Sequence, residues 1–298
     1  LHKTKENMNT ASALESQPLS QSCNASKESP HNECSSLFSS RTSILAQNWD
    51  YWQEFDAIGI LFKVERVEKR GTEQIQFPSF VTFTEPGVLG KCGLNDQGVG
   101  VLINKLQLKH DPKIIDVPVQ IMLRAILECR SVEEAYETIK KHPYGKASSF
   151  IVGDANGQYV HVEFAGEKYF LQHNLPSKEG AEKTSSYIYR TNHFLLNHNK
   201  EDTTLPVPQG SSLFRFNQLQ EVLSNHNSKE DEVSFVKTIL FDDKHNQFPI
   251  CRKWVPIQPP WEGTIGTVRS VIMDLVHRKF FITKTPPFVS QELLEVQV

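Results

Sequence analysis

The chain has 298 residues, 38% of them hydrophobic and 10% aromatic, enough for one large globular core or two small ones. Its 32 Lys and Arg stand against 35 Asp and Glu, a net charge of −3 with no block of like charges, which disfavours a nucleic-acid-binding surface. A mean hydropathy of −0.41 and the lack of any apolar run near about 18 residues leave no candidate membrane-spanning helix. Five cysteines, at positions 23, 34, 92, 129 and 251, form no CxxC pair. Reduced thiols and a cytoplasmic location are therefore expected, without a disulfide framework or structural zinc. The chain starts at Leu1 without a charged-then-apolar leader and reads as a fragment or processed form, with any targeting signal lost upstream.

Residues 1–33 contain no glycine and no aromatic side chain. Such a segment buries too little apolar surface to offset its ordering entropy, so a disordered tail is expected there and one packed domain over 34–298. Strands are predicted from Cys34 and from Thr42 to Asp50 around a turn near Ser40 and Arg41, then over Ile58–Val67 with Ile58, Ile60, Phe62 and Val64 on one face. Phe80–Phe83 and Val99–Asn104 continue the sheet region. A helix capped by Asp116, with Pro118 in its first turn, carries Val119, Met122, Leu123, Ile126 and Leu127 on one stripe. A second begins at the capping box Ser131 to Glu134. Strands return at Ser149–Val152, Tyr159–Phe164 and Lys168–Gln172, the first two joined by an Asn156-Gly157 turn. Helices follow over Leu213–Leu223 behind Ser212 and Glu230–Leu240 behind Ser228, and a hairpin over Thr267–Thr283 turns at His277 to Lys279. Strands, a helix pair, strands, a helix pair and strands describe an α+β sandwich rather than alternating βαβ units.

Few motifs carry chemistry. The run Gly93 to Gly100 lacks the third glycine of a dinucleotide loop and precedes a strand, so it reads as a turn. His193 and His198 have the wrong spacing for a zinc peptidase, and neither GxSxG nor HExxH occurs. No cofactor or metal is implied. Cys34 stands where the polar segment ends and the first strand begins. A cut of the Glu33–Cys34 bond would make it an N-terminal residue. Its α-amine, with a pKa of about 8, would then serve as base for its own thiol.

Cys34-Ser-Ser36, Ala46-Gln-Asn-Trp-Asp50, the stretch from Thr84-Glu-Pro-Gly87 to Asn104, Tyr189-Arg-Thr-Asn-His193 and Phe248-Pro-Ile-Cys-Arg252 together resemble the isopenicillin N acyltransferase family. That family also holds Tan, the insect N-β-alanyl-amine hydrolase. The resemblance spans roughly residues 34–285. It implies an N-terminal nucleophile hydrolase, a four-layer αββα sandwich made as a precursor that cuts itself before a cysteine. By position it implies Cys34 as nucleophile, Asp50 as the aspartate of the catalytic centre, and Asn192 as an oxyanion donor. Residues 1–33 become the tail of a cleaved N-terminal subunit that stays a partner of the enzyme. Asn48, Asn95 and Asn104 and the glycines at 87, 90, 93 and 98 read as architectural. Two departures stand out: Glu33 occupies a position that is usually glycine, and Gly263-Thr-Ile265 replaces an arginine of the penicillin-forming members.

The expected activity is hydrolysis of a small N-acyl or N-β-alanyl amide, or a thioester, through a cysteine acyl-enzyme. Acyl-CoA-dependent N-acyl transfer, an uncut non-catalytic binding protein, and a cysteine peptidase pairing Cys34 with His161 or His193 stay open as alternatives.

Overall fold

The computed structural model describes residues 34–109, 116–176, 178–180, 186–196, 210–226, 231–257 and 262–298. The expected tail over 1–33, Glu33 included, lies outside them.

The described chain runs β1 (Cys34–Ser39), β2 (Ile44–Trp52), α1 (Phe55–Ile58), β3 (Ile60–Val64), β4 (Val67–Arg70), β5 (Glu73–Gln76), β6 (Phe80–Thr84), β7 (Cys92–Asn95) and β8 (Gly100–Lys105). After these come α2 (Val119–Leu127), α3 (Val132–Lys141), β9 (Gly145–Gly153), β10 (Tyr159–Gly166), β11 (Tyr169–His173) and β12 (Tyr187–Arg190). It ends with α4 (Gly210–Ser224), α5 (Glu232–Leu240), β13 (Val255–Pro256), β14 (Thr264–Asp274), β15 (Lys279–Thr283) and β16 (Leu293–Gln297). The first large sheet has the order β12-β1-β2-β14-β15-β16, with β13 added on β14, and the second has the order β11-β10-β9-β8-β7-β6-β3. Among the described strands, β4 and β5 pair only with each other. The pairings within both large sheets are antiparallel. None of the described helices is long and apolar enough to cross a membrane.

The period-two alternation of β1 and β2 builds the layers. Phe38, Leu45 and Trp49 face the second sheet and pack with Val81, Phe83, Leu94, Leu102 and Ile151. Leu37, Ile44 and Ala46 point the other way, onto Leu219 of α4 and Phe235, Val236 and Ile239 of α5. The far face of the second sheet is covered by Met122, Leu123 and Ile126 of α2 with Val132, Ala135 and Ile139 of α3. The result is the expected αββα sandwich. Gly157, at φ +75°, closes the β9–β10 hairpin where an added Cβ would meet the Ser40 carbonyl oxygen at 2.1 Å, so the turn of one sheet presses directly on the turn of the other.

Several local expectations shift. Pro118, not Asp116, is the cap residue of α2, because Asp116 stands two residues too early and binds the His142 ring at 3.0 Å instead. Ser131 does cap α3, accepting from the Glu134 N–H at 3.2 Å, while the Glu134 carboxylate takes the N–H of Arg130. The expected cap Ser228 lies outside the described residues, and Asp231 caps α5 through the Ser234 N–H. α4 begins at Gly210, which puts Ser212 inside the helix. Ile58 ends a short helix and Phe62 lies 41% exposed on an edge strand, so the alternation there marks no buried face.

Candidate active site

Cys34 is the first residue of β1, paired across the ladder with Trp49. Both polar backbone atoms it offers are held. Its N–H donates to Asn192 Oδ1 at 2.8 Å. Its carbonyl accepts from Asn104 Nδ2 at 3.1 Å and from Arg215 Nη1 at 2.8 Å. Burial pushes the thiol up to about 12, and the Asp50 carboxylate pushes the same way. The Asp50 N–H, Lys91 and Arg215 pull it back only in part.

Asn192 follows β12. Its Oδ1 also accepts from Arg215 Nη2 at 2.9 Å, and its Nδ2 donates to the Lys105 carbonyl at 2.9 Å. A guanidinium can only donate, so the orientation of this amide is fixed. The Asn192 N–H donates to Ser212 Oγ at 2.7 Å, which explains why Ser212 sits inside the helix rather than at its cap.

Asp50 is 2% exposed and accepts from Thr267 Oγ1 at 2.6 Å. Thr267 is locked by the backbone of Arg252: its N–H donates to the Arg252 carbonyl and its Oγ1 accepts from the Arg252 N–H, both at 2.8 Å. The ladder between β14 and β2 slips by one residue between Thr267 and Arg269, a bulge that leaves Thr267 opposite Asp50. Cys34, Asp50 and Asn192, far apart in sequence, thus come together at one end of the first sheet.

Arg215 was invisible to motif reading. It is fully buried on α4, in register with Leu219 and Leu223, and it binds Ser211 Oγ and Ser35 Oγ besides the Cys34 carbonyl and Asn192. An arginine at i, i+4, i+8 spacing with two core leucines was the available signal. Asn104 also moves from scaffold to site, since it accepts from Ser36 Oγ at 2.5 Å while holding the Cys34 carbonyl. Asn48 and Asn95 stay architectural. Asn48 Nδ2 ties β2 to the carbonyls of Leu240 and Ile250, and Asn95 Nδ2 caps the end of α2 through those of Leu127 and Cys129.

The histidines serve elsewhere. His161 is wedged between Ser149 Oγ and Arg190 Nε, each at 2.8 Å. His193 faces Ser212 Oγ at 2.8 Å. Burial, reinforced by the neighbouring arginines, drives His161 well down and His193 to about 4, so both rings are neutral at pH 7. Among the described residues neither imidazole hydrogen-bonds Cys34, so no Cys–His pair is formed.

A cavity of about 460 Å³ opens beside Cys34, walled by Trp49, Tyr51, Val88, Ile103, Val119 and Leu123, with Lys91, Lys105 and Lys146 among its polar lining. Lys91 Nζ lies 3.7 Å over the Trp49 ring and 3.1 Å from Glu85.

An αββα sandwich whose first described strand starts on a buried cysteine has the fold of the N-terminal nucleophile hydrolases. Solved structures of that class superpose on it. A mutant of conjugated bile acid hydrolase from Clostridium perfringens, with alanine in place of a cysteine, gives a TM-score of 0.57 at 14% identity, over 90% of this chain and 92% of that one. Penicillin V acylase from Agrobacterium tumefaciens gives 0.56 at 14% identity, over 89% and 86%. The profile of the acyl-coenzyme A:6-aminopenicillanic acid acyl-transferase family matches residues 38–283, and the chain belongs to that family. The acyl-coenzyme A:6-aminopenicillanic-acid-acyltransferase 40 kDa form of Emericella nidulans is 30% identical over 240 residues, 80% of this chain. The chain spans 59% of the length of that relative.

Proposed function

We propose that this protein is a self-processing amide hydrolase in which Cys34 first cuts its own chain and then attacks substrate. The observation that carries this reading is the 2.8 Å bond from the Cys34 nitrogen to Asn192 Oδ1: an asparagine carbonyl aims the atom that has to become the base. In the first reaction Cys34 Sγ adds to the Glu33 carbonyl carbon. The C–N bond breaks, the proton from sulfur ends on the freed amine, and water hydrolyses the resulting thioester. Residues 1–33 then end the smaller subunit, a partner of the mature enzyme.

In the second reaction that amine, with a pKa of about 8, takes the thiol proton as sulfur attacks the substrate carbonyl. In the uncut chain burial pushes the thiol up to about 12, so there it carries its proton and needs a base to attack. Asn192 Nδ2, which uses one hydrogen on Lys105, has a second for the oxyanion. Asp50 gives its N–H to the sulfur, and Thr267 holds its carboxylate. Water releases the acyl group. An amine acceptor in place of water gives acyl transfer, the second reading, favoured by the name of the family. The substrate is a small amide or thioester. The described cysteines, at 34, 92, 129 and 251, are all free, which supports a reducing compartment such as the cytoplasm.

Intact-mass analysis of the expressed chain tests the reading. A break between Glu33 and Cys34 is expected in the wild type and none in Cys34→Ala; a wild-type chain that stays whole overturns it. A panel of N-acyl amines and acyl-CoA thioesters, with hydroxylamine added as acceptor, then separates hydrolysis from transfer.

A further inference from the structure

Asn192 sits in a short stretch of chain that buried charge grips on both sides. β10 alternates as a strand between two packed layers should. Val160, Val162 and Phe164 face α2 and α3, while Tyr159 packs in the layer between the two sheets. His161 and Glu163 share the parity of Tyr159 and point into that inner layer, and both are fully buried.

The Glu163 carboxylate turns its oxygens to backbone. Oε1 and Oε2 each accept from the Leu195 N–H at 3.0 Å, and Oε2 also accepts from the Leu196 N–H at 2.9 Å. These N–H groups lie three and four residues beyond Asn192. Two residues before it, Arg190 ends β12. The Arg190 Nε donates to His161 Nε2 at 2.8 Å and lies 3.9 Å from Glu163 Oε1. The neutral His161 ring brings no charge of its own, so the guanidinium supplies positive charge beside the carboxylate.

The stretch from Arg190 to Leu196 is thereby tied from the edge of the first sheet to β10 of the second. Asn192 lies within it and spans the Cys34 nitrogen and the Lys105 carbonyl. An oxyanion donor is only as good as its placement, since a displacement near 1 Å costs on the order of 10² in rate. A buried carboxylate is a weak source of stability, because desolvation offsets its pairing. A neutral acceptor would satisfy the same N–H groups. What the charge adds is a stronger hold on two successive N–H groups from one fixed point.

We propose that Glu163 is a positioning residue for Asn192. It fixes the stretch around Asn192 so that the amide stays on the Cys34 nitrogen and presents its remaining hydrogen to the oxyanion. This rests on the reading of Cys34 as the nucleophile and Asn192 as the oxyanion donor. Glu163 acts through the chain, from three residues beyond the amide that it places.

The test is a double-mutant cycle on enzyme purified after self-cleavage, with Glu163→Gln and Asn192→Ala made singly and together. Glu163→Gln keeps the size of the side chain and one acceptor oxygen but removes the charge. We expect kcat to fall about 100-fold with KM held within about twofold, because the displaced amide acts in the transition state. In the Asn192→Ala background the same substitution should change kcat by less than about threefold. An equal loss in both backgrounds is what a purely structural role gives, and it overturns the proposal. Glu163→Asp keeps the charge beside Arg190 and withdraws the oxygens by one methylene. It serves the same cycle, with the same expected pattern, if Glu163→Gln fails to fold. A crystal structure of the folded variant needs no turnover. Asn192 Oδ1 should leave hydrogen-bond distance of the Cys34 nitrogen, and an amide that stays at 2.8 Å overturns the proposal. A displaced amide upholds the placement even if the wild type cleaves nothing, a result that would sink only the hydrolase reading.

Discussion

The two helical layers of the sandwich are alike in outline and unlike in content. α2 and α3 bury no charged side chain against the second sheet, and their buried residues include Met122, Leu123, Ile126, Leu127, Val132 and Ile139. α4 and α5 cover the first sheet with Leu219, Phe235 and Val236 but also bury Arg215 and Glu232. Arg215 reaches the nucleophile, and Glu232 binds Arg41 at 3.0 Å and the Tyr187 hydroxyl at 2.7 Å. An apolar layer contributes stability that many sequences could supply. A layer that buries a guanidinium accepts a desolvation cost in return for geometry at one point. One face of the fold therefore holds the molecule together, and the other aims its chemistry.

The sharpest way to break this contrast is Arg215→Met. It strips Asn192 Oδ1, Ser35 Oγ and the Cys34 carbonyl of a shared donor. A loss of kcat on the order of 10³, about 4 kcal/mol, is expected, together with slowed self-cleavage by intact mass. Arg215→Lys should recover little, because an ammonium cannot span three acceptors as a planar fork does. In the other layer, Ile126→Ala removes a fully buried side chain. It should cost about 3 kcal/mol in urea unfolding and leave cleavage at Cys34 and kcat under native conditions near the wild-type values. If the two variants fail in the same way, the division of labour is wrong.

The smallest effect concerns pH. His193, held by Ser212 of α4, is lowered to about 4 from an ordinary value of 6.5. Between these values the unfolded chain binds the proton and the folded chain does not, so stability is full above pH 6.5 and falls as pH drops. The loss from this residue alone between pH 6.5 and 5.5 should be about 1 kcal/mol, read from urea midpoints at the two pH values. His193→Gln should flatten that slope, and Ile126→Ala should leave it unchanged.

The chain order of strands and helices and the strand start at Cys34 were legible in local periodicity and a composition break, whereas the count of four layers came only with the family resemblance. The chemistry of the site was legible only through short motifs, since Cys34 and Asn192 are separated by 158 positions and no local pattern encodes such a meeting. Arg215 escaped for the same reason, and because an arginine on an amphipathic helix ordinarily faces water. β7 and β12, each of four residues, are too short to display an alternation. Phe62 takes part in one without being buried, because an edge strand keeps its period while one face meets solvent, and Ile58, counted in the same alternation, belongs to α1.

Chain ends ordinarily fray, and an enzyme that relies on its own terminus for a base would have to stop that motion at every turnover. Here the position is secured from elsewhere: Asn192 holds the Cys34 nitrogen while Asn104 and Arg215 hold its carbonyl, and none of these bonds uses the residues before it. A terminus created at Cys34 is therefore born docked, with no search for its place. It follows that a gene reduced to an initiator methionine followed by Cys34 should, once the methionine is trimmed, yield the same seated end without any self-cleavage, which makes maturation separable from folding.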